Sequence, residues 1–222
     1  MASLCSIYIN LPQAGLLQYR LIVRGLLREA ESHSNLKINL SSFFFFLLED
    51  MQAGIDQGRV GILTEGGFPN GPPGLLGKVP MVAVRQPLDT GRLPRVLIDP
   101  GSVAETAFAH FSQQGVTHFG VFHNLDPREP EGLIRSEAFT ERVRKEKLHV
   151  HAFPNGPRCA ETWGFRKQID DLADWLRELP APCGILAGDD EHGQRLLMAA
   201  AEAGVTVPGD MSVISYGNDE LF

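Results

Sequence analysis

The chain has 222 residues, a formal net charge of -7 and a sequence pI near 5.5, with 43% hydrophobic and 21% charged residues. That size predicts a packed core in one large domain or two small ones, and the acidic balance argues against a surface that itself grips phosphate backbones. Three widely spaced cysteines (Cys5, Cys159 and Cys183) without a C-x-x-C pair indicate neither a disulfide framework nor a zinc ribbon, and the longest apolar run, residues 43–48, is too short to span a bilayer.

Residues 4–10 read as a strand, and the helix expected over 14–32 carries Leu17, Leu21, Gly25 and Leu26 at helical spacing. A strand follows at 36–40, a helix at 45–57 and a strand at 60–64. The four consecutive phenylalanines at 43–46 are expected to cover core at a strand-to-helix corner. Residues 66–77, rich in Gly and Pro, form a loop. Strands are expected at 79–84 and 95–98, a helix closed by Gly115 over 101–115, and a strand at 118–122. The polar break at 124–132, with two prolines, is taken as a domain boundary. Beyond it come a helix over 133–146, a strand over 148–153, a long helix over 161–179, a strand over 183–187, a helix over 191–204 and a last strand over 211–215. This alternation predicts α/β architecture: two lobes, residues 1–123 and 124–222, each a parallel sheet flanked by helices with right-handed crossovers. The second lobe, ending seven residues past its last strand without a closing helix, is expected to be truncated.

The richest stretch is 184–221, GILAGDDEHGQRLLMAAAEAGVTVPGDMSVISYGNDEL. An apolar strand ends in Asp189 and Asp190, an alanine-rich helix follows, and a second strand ends in Y-G-N-D. The acids stand where a strand stops and its helix starts, the edge at which open parallel sheets bind ligands. Asp190 therefore has two readings, a ligand-binding carboxylate or an N-cap; Asp189 fits the cap. Other chemistry lacks its motif. No G-x-G-x-x-G opens a helix, no Walker-type loop is present and no G-x-S-x-G elbow occurs. His149 and His151 alternate on one strand face without a third ligand at telling spacing, and the pairs Glu49-Asp50 and Asp170-Asp171 read as solvated helix faces. No catalytic residue, metal or cofactor is expected, and the cysteines read as small buried hydrophobes.

Two segments carry a family likeness. RVLIDPGSVAETAFAHFSQQGVTHFGVF, from Arg95, resembles the first-lobe pattern of lactose/galactose-repressor effector domains, with IRSEAF (Arg135, Phe139) continuing it. ETWGFRKQIDDLADWLRELPAPCGILAGDDEHGQRLL, G-V-T-V-P and N-D-E-L resemble the xylose-operon regulators of that superfamily more closely. The resemblance implies a two-lobed, type I periplasmic-binding-protein-like domain that binds a sugar between its lobes, with xylose or a related pentose as the expected sugar, and signals to DNA-binding modules. In such regulators these are a C-terminal helix-turn-helix pair of the arabinose-regulator type, outside this chain. It further implies a cytoplasmic homodimer with no membrane partner and no enzymatic activity. The alternative is the solute-binding protein of a sugar ABC transporter; no secretory signal is visible in MASLCSIYINLPQ, which lacks a basic n-region.

By this resemblance Asp190 is the ligand-binding acid, Arg135 a donor to sugar oxygens and Trp163 a ring that stacks on the sugar, unless Trp163 packs beneath its own helix. Asn10, ending the first strand, and Tyr19, after the loop, are expected to face the cleft or to serve as turn and cap residues. Asp99 orients the first-lobe wall or caps the helix after it. Here Pro100 follows it where the family commonly has Asn. Gly217 stands where the family often places an acid, leaving Asn218 or Asp219 to substitute.

Overall fold

The computed structural model describes residues 4–11, 17–40, 48–65, 78–84, 93–123, 131–154 and 164–218. The chain divides into two compact units, Met1–Ile98 and Asp99–Phe222.

The first unit contains strands β1 (Cys5–Asn10), β2 (Leu36–Leu40), β3 (Val60–Thr64), β4 (Met81–Val84) and β5 (Arg95–Val96), with helices α1 (Leu17–Glu31) and α2 (Leu48–Asp56). The strands form one sheet in the order β2-β1-β3-β4-β5, every neighbouring pair parallel. Strand side chains alternate between faces. Tyr8, Val60, Ile62 and Met81 therefore pack with Met51 of α2 in one apolar cluster. Ile9, Leu63 and Val84 pack with Leu11 and Tyr19 in another. Tyr19 lies inside α1, fully buried. The expected cleft-facing ring is thus a core residue: its helical phase turns it onto the sheet, where a large apolar ring gains most from leaving water.

The second unit contains helix α3 (Pro100–Gln113), strand β6 (His118–Phe122), α4 (Glu131–Lys145), β7 (Val150–Ala152), α5 (Phe165–Glu178), β8 (Cys183–Ala187), α6 (Asp190–Ala203) and β9 (Met211–Ile214). Its sheet runs β7-β6-β8-β9, again all parallel. Along β8 the alternation is clean. Cys183, Ile185 and Ala187 join the cluster made with α5 and α6, and Leu186 joins the one made with α3 and α4. Phe111, Phe119 and Phe139 meet edge to face with centroids 6.0–6.3 Å apart, a favoured aromatic arrangement. Gly184 makes room for it, since a Cβ there would stand 2.7 Å from Phe111 Cγ. Gly120 does the same on the opposite face, 3.3 Å from Trp175 Cη2.

The boundary drawn from composition needs correction. The chain divides at Ile98/Asp99, not at 123/124. The physical reason is pairing: β6 lies between β7 and β8, in register from His118↔Cys183 to Phe122↔Ala187, and α3 packs its Ala104, Phe108 and Phe111 onto that same sheet. The polar stretch at 124–130 connects two elements of one unit and lies outside the described residues.

Candidate functional site

In the second unit the chain leaves β6 toward β7, then returns past it to β8 and moves on to β9. Successive crossovers of one hand then lie on opposite sheet faces. The core confirms this: α3 and α4 share one cluster, α5 and α6 the other. The helices following β6 and β8 consequently part at the carboxyl ends of these neighbouring strands, which is where open α/β sheets hold ligands.

Asp189 is the N-cap of α6, its backbone extended and its carboxylate accepting from the His192 amide at 2.8 Å. The same oxygen meets His192 Nδ1 at 2.6 Å, within a buried site against the Phe122 ring. Burial acts to raise the Asp189 carboxyl, but hydrogen bonding to His192 and the nearby Arg135 charge outweigh it and hold the group below its ordinary value. Asp189 is therefore committed to the helix start, as expected.

Asp190 opens α6 and is half-buried. Ser215, just past β9, donates its hydroxyl to Asp190 Oδ1. Arg135, in the second turn of α4, donates through Nη2 to the Gly188 carbonyl at 2.6 Å, and its guanidinium lies 4.3 Å above the Tyr216 ring centroid. Gly188 permits the close approach of strand ends: a Cβ there would be 3.0 Å from His123 Cβ. His123 is buried at the end of β6, and burial together with the neighbouring His192 pushes its pKa down to about 4.

Of the expected ligand residues, the structure brings Asp190 and Arg135 to this edge. Asn218 lies beside it, exposed, with φ of 59°. Asn10 ends β1, paired with Thr64, at the corresponding carboxyl edge of the first sheet. Asp99 takes the capping role: it accepts from the Gly101 and Ser102 amides at 3.0 and 3.3 Å and from the Ser102 hydroxyl at 2.6 Å. Those bonds hold its carboxyl below the ordinary value. Trp163 and Asp219 lie outside the described residues. Among the described residues no group of three or more His, Cys, Asp or Glu is placed to hold a metal ion. Cys183 is a buried apolar residue whose thiol is pushed up to about 12 by burial.

Residues 108–222 match the model of the periplasmic binding protein-like domain. The chain belongs to that family. Among curated proteins, this periplasmic-binding-like chain is 26% identical over 129 residues to a xylose operon regulatory protein of Haemophilus influenzae, covering 58% of this chain and 33% of that protein. It is 29% identical over 128 residues to the protein of that name in Escherichia coli K12, covering 57% and 32%. The chain thus spans about a third of the length of these curated relatives. Its fold is shared with a xylose-binding transcription activator, xylR (TM-score 0.68, 22% identity, 98% of this chain and 55% of that one). It is shared also with a LacI family transcriptional regulator from Enterococcus faecium solved with bound ribose (TM-score 0.66, 19% identity, 96% and 78%).

Sequence reasoning passed over Ser215, Tyr216, His123 and His192. A signal existed for two of them. His123 and Ser215 each directly follow a strand that ends at the carboxyl edge, where residues of parallel sheets become functional.

Proposed function

We propose that this chain is the effector-binding domain of a sugar-responsive transcription regulator, with xylose or a related pentose as effector. One observation carries this reading: Asp190 at the start of α6 and Arg135, bonded to the Gly188 carbonyl, both belong to the switch edge of the second sheet. A sugar hydroxyl both donates and accepts, and a carboxylate and a guanidinium at one sheet edge answer both roles. A wrong sugar leaves one of those groups unpaired, which is how such sites discriminate. The names of the curated relatives support the regulatory context and the choice of pentose.

In this reading the domain performs no chemistry. The effector favours the conformation for which it has extra affinity, and the shift reaches DNA-binding modules outside this chain. The regulator works in the cytoplasm as a homodimer with two-fold symmetry. Among the described residues no helix is long and apolar enough to cross a membrane.

The test is thermal unfolding of the chain with D-xylose, D-ribose, L-arabinose and common hexoses at millimolar concentration, followed by calorimetric titration. A ligand that binds the folded state raises the melting temperature by mass action. The expected result is a shift with a pentose that Asp190→Ala weakens by about 1–3 kcal/mol, roughly five- to 150-fold in affinity. Absence of any shift across the panel, or a pentose affinity untouched by Asp190→Ala, would overturn the reading.

A further inference from the structure

We propose that Ser215 and Gly217 are the positioning residues that fix the Asp190 carboxylate, and that position 217 thereby sets the selectivity of the sugar site; this rests on the effector reading above. The two flank that carboxylate on different sides. Ser215 donates its hydroxyl to Oδ1. It is itself pressed against the first turn of α6, because a Cβ on Gly193 would lie 3.0 Å from Ser215 Cβ. On the other side, a Cβ on Gly217 would stand 3.1 Å from Asp190 Cγ and overlap Oδ2 outright.

Gly217 also has φ of 140°, in the region that L side chains rarely adopt. Two independent constraints, backbone and steric, therefore meet at one residue. The carboxylate of Asp190 and any side chain at 217 are rivals for a single volume. With glycine there, the acid borne by α6 occupies it. With anything larger, the acid must leave or the turn after β9 must shift. The competition for space is not local to one element: it joins α6 to the turn after β9, two elements that pack on each other in the second unit.

Each oxygen of a carboxylate carries two lone pairs, so accepting the Ser215 hydroxyl does not by itself exhaust Asp190 as an acceptor. Fixing its orientation matters because a hydrogen bond weakens steeply away from its preferred angle. A sugar presenting two adjacent hydroxyls to this carboxylate is then distinguished from its epimer by whether both can reach. Selectivity comes from holding the acid still, and the two residues that hold it are Ser215 and Gly217.

The experiment uses the full chain with Asp190→Ala, Ser215→Ala, Ser215→Thr, Gly217→Ala and the double variant Asp190→Ala/Gly217→Ala. Melting temperatures give a ligand-independent cycle. Gly217→Ala lowers the melting temperature through both strain and overlap, and removing Asp190 relieves the overlap. The double variant is therefore expected to melt roughly 3 °C or more above the value that adding the single effects would give. Additivity within about 1 °C would overturn the proposal. D-xylose and D-ribose titrations give the second readout. Gly217→Ala and Ser215→Ala are expected to weaken the preferred pentose about fivefold or more and to narrow the ratio between the two sugars, with Ser215→Thr restoring wild-type affinity through its retained hydroxyl. If Asp190→Ala abolishes pentose binding while Gly217→Ala and Ser215→Ala leave affinity and ratio unchanged, the positioning role fails and the effector reading stands. If the wild-type chain binds neither pentose, the effector reading fails and selectivity with it, and the melting cycle then decides the positioning role alone.

Discussion

Asp189 is the residue whose removal should be felt most widely in the second unit. Its single oxygen Oδ1 receives the His192 amide at 2.8 Å and faces His192 Nδ1 at 2.6 Å. Asp189→Ala removes an N-cap, about 1 kcal/mol. It also leaves the buried His192 ring without that partner, about 1–3 kcal/mol. The sum is about 3 kcal/mol, or roughly 10 °C in melting temperature for a unit of this size. Asp189→Asn separates the parts. Asparagine caps as well as aspartate, so only the charge is lost. Because the Asp189 side chain is 33% exposed, solvent screening limits that component to about 1 kcal/mol. The pH dependence has a definite sign. A carboxyl held low in the folded state contributes fully above its unfolded value, and the contribution fades as pH falls through the lower folded value. The gap between wild type and Asp189→Asn is thus expected to be full at pH 6 and to close below pH about 4. Circular-dichroism melts at pH 6 and in a series below pH about 4 measure it. An Asp189→Ala variant within about 0.5 kcal/mol of wild type would refute the assignment of Asp189 as the cap that holds this edge together.

Two further outcomes follow from buried groups of the same unit. His123 must take up a proton on unfolding below its ordinary 6.5, whereas the folded protein resists protonation down to about 4. Stability should therefore fall by about 2 kcal/mol between pH 7 and pH 5, and urea titrations of His123→Asn should show that slope flattened. A pH response identical in wild type and variant would place the acid sensitivity elsewhere. Gly184→Ala drives a methyl to within 2.7 Å of the Phe111 ring and should cost about 1–3 kcal/mol by overpacking, with Phe111→Leu in the same chain recovering part of it. Equal melting temperatures for Gly184→Ala and wild type would show that the aromatic cluster yields more easily than its geometry implies.

Much of the fold can be read from local pattern. Strands 60–64, 118–122 and 183–187 stand where their apolar runs lie, since a buried parallel strand needs a continuous run and little else, and the edge strand 36–40 shows instead the alternation of Leu36, Ile38 and Leu40 with Lys37 and Asn39. Asp189 and Asp190 are legible because the end of such a run beside a helix start is a chemically special place. The boundary is not legible, because composition marks a polar connection at 124–130 but carries no trace of β6 pairing with β8. Tyr19 misleads in the same way. Its proximity in sequence to the end of β1 points to the sheet edge, while its phase on α1 puts it in the core. Arg135, Tyr216 and Ser215 come together through strand order alone, from positions with no shared local signature. Gly217 is visible in the sequence as a departure, but its meaning appears only when Asp190 stands beside it.

The start of the second unit on a capped helix bears on how this chain is cut. Asp99 seals the first turn of α3 with its own carboxylate, so the segment from that residue carries its initiation signal with it. A cut at the polar stretch 124–130 would instead remove β6 from between β7 and β8 and strip Phe139 and Val143 of Phe111 and Phe119. The remaining strands would present two open edges where an inner strand belongs, the usual template for aggregation. Expression fragments, fusion junctions and insertion tags are thus best placed before Asp99, where the chain passes from one sheet to the next without crossing a hydrogen-bonded ladder.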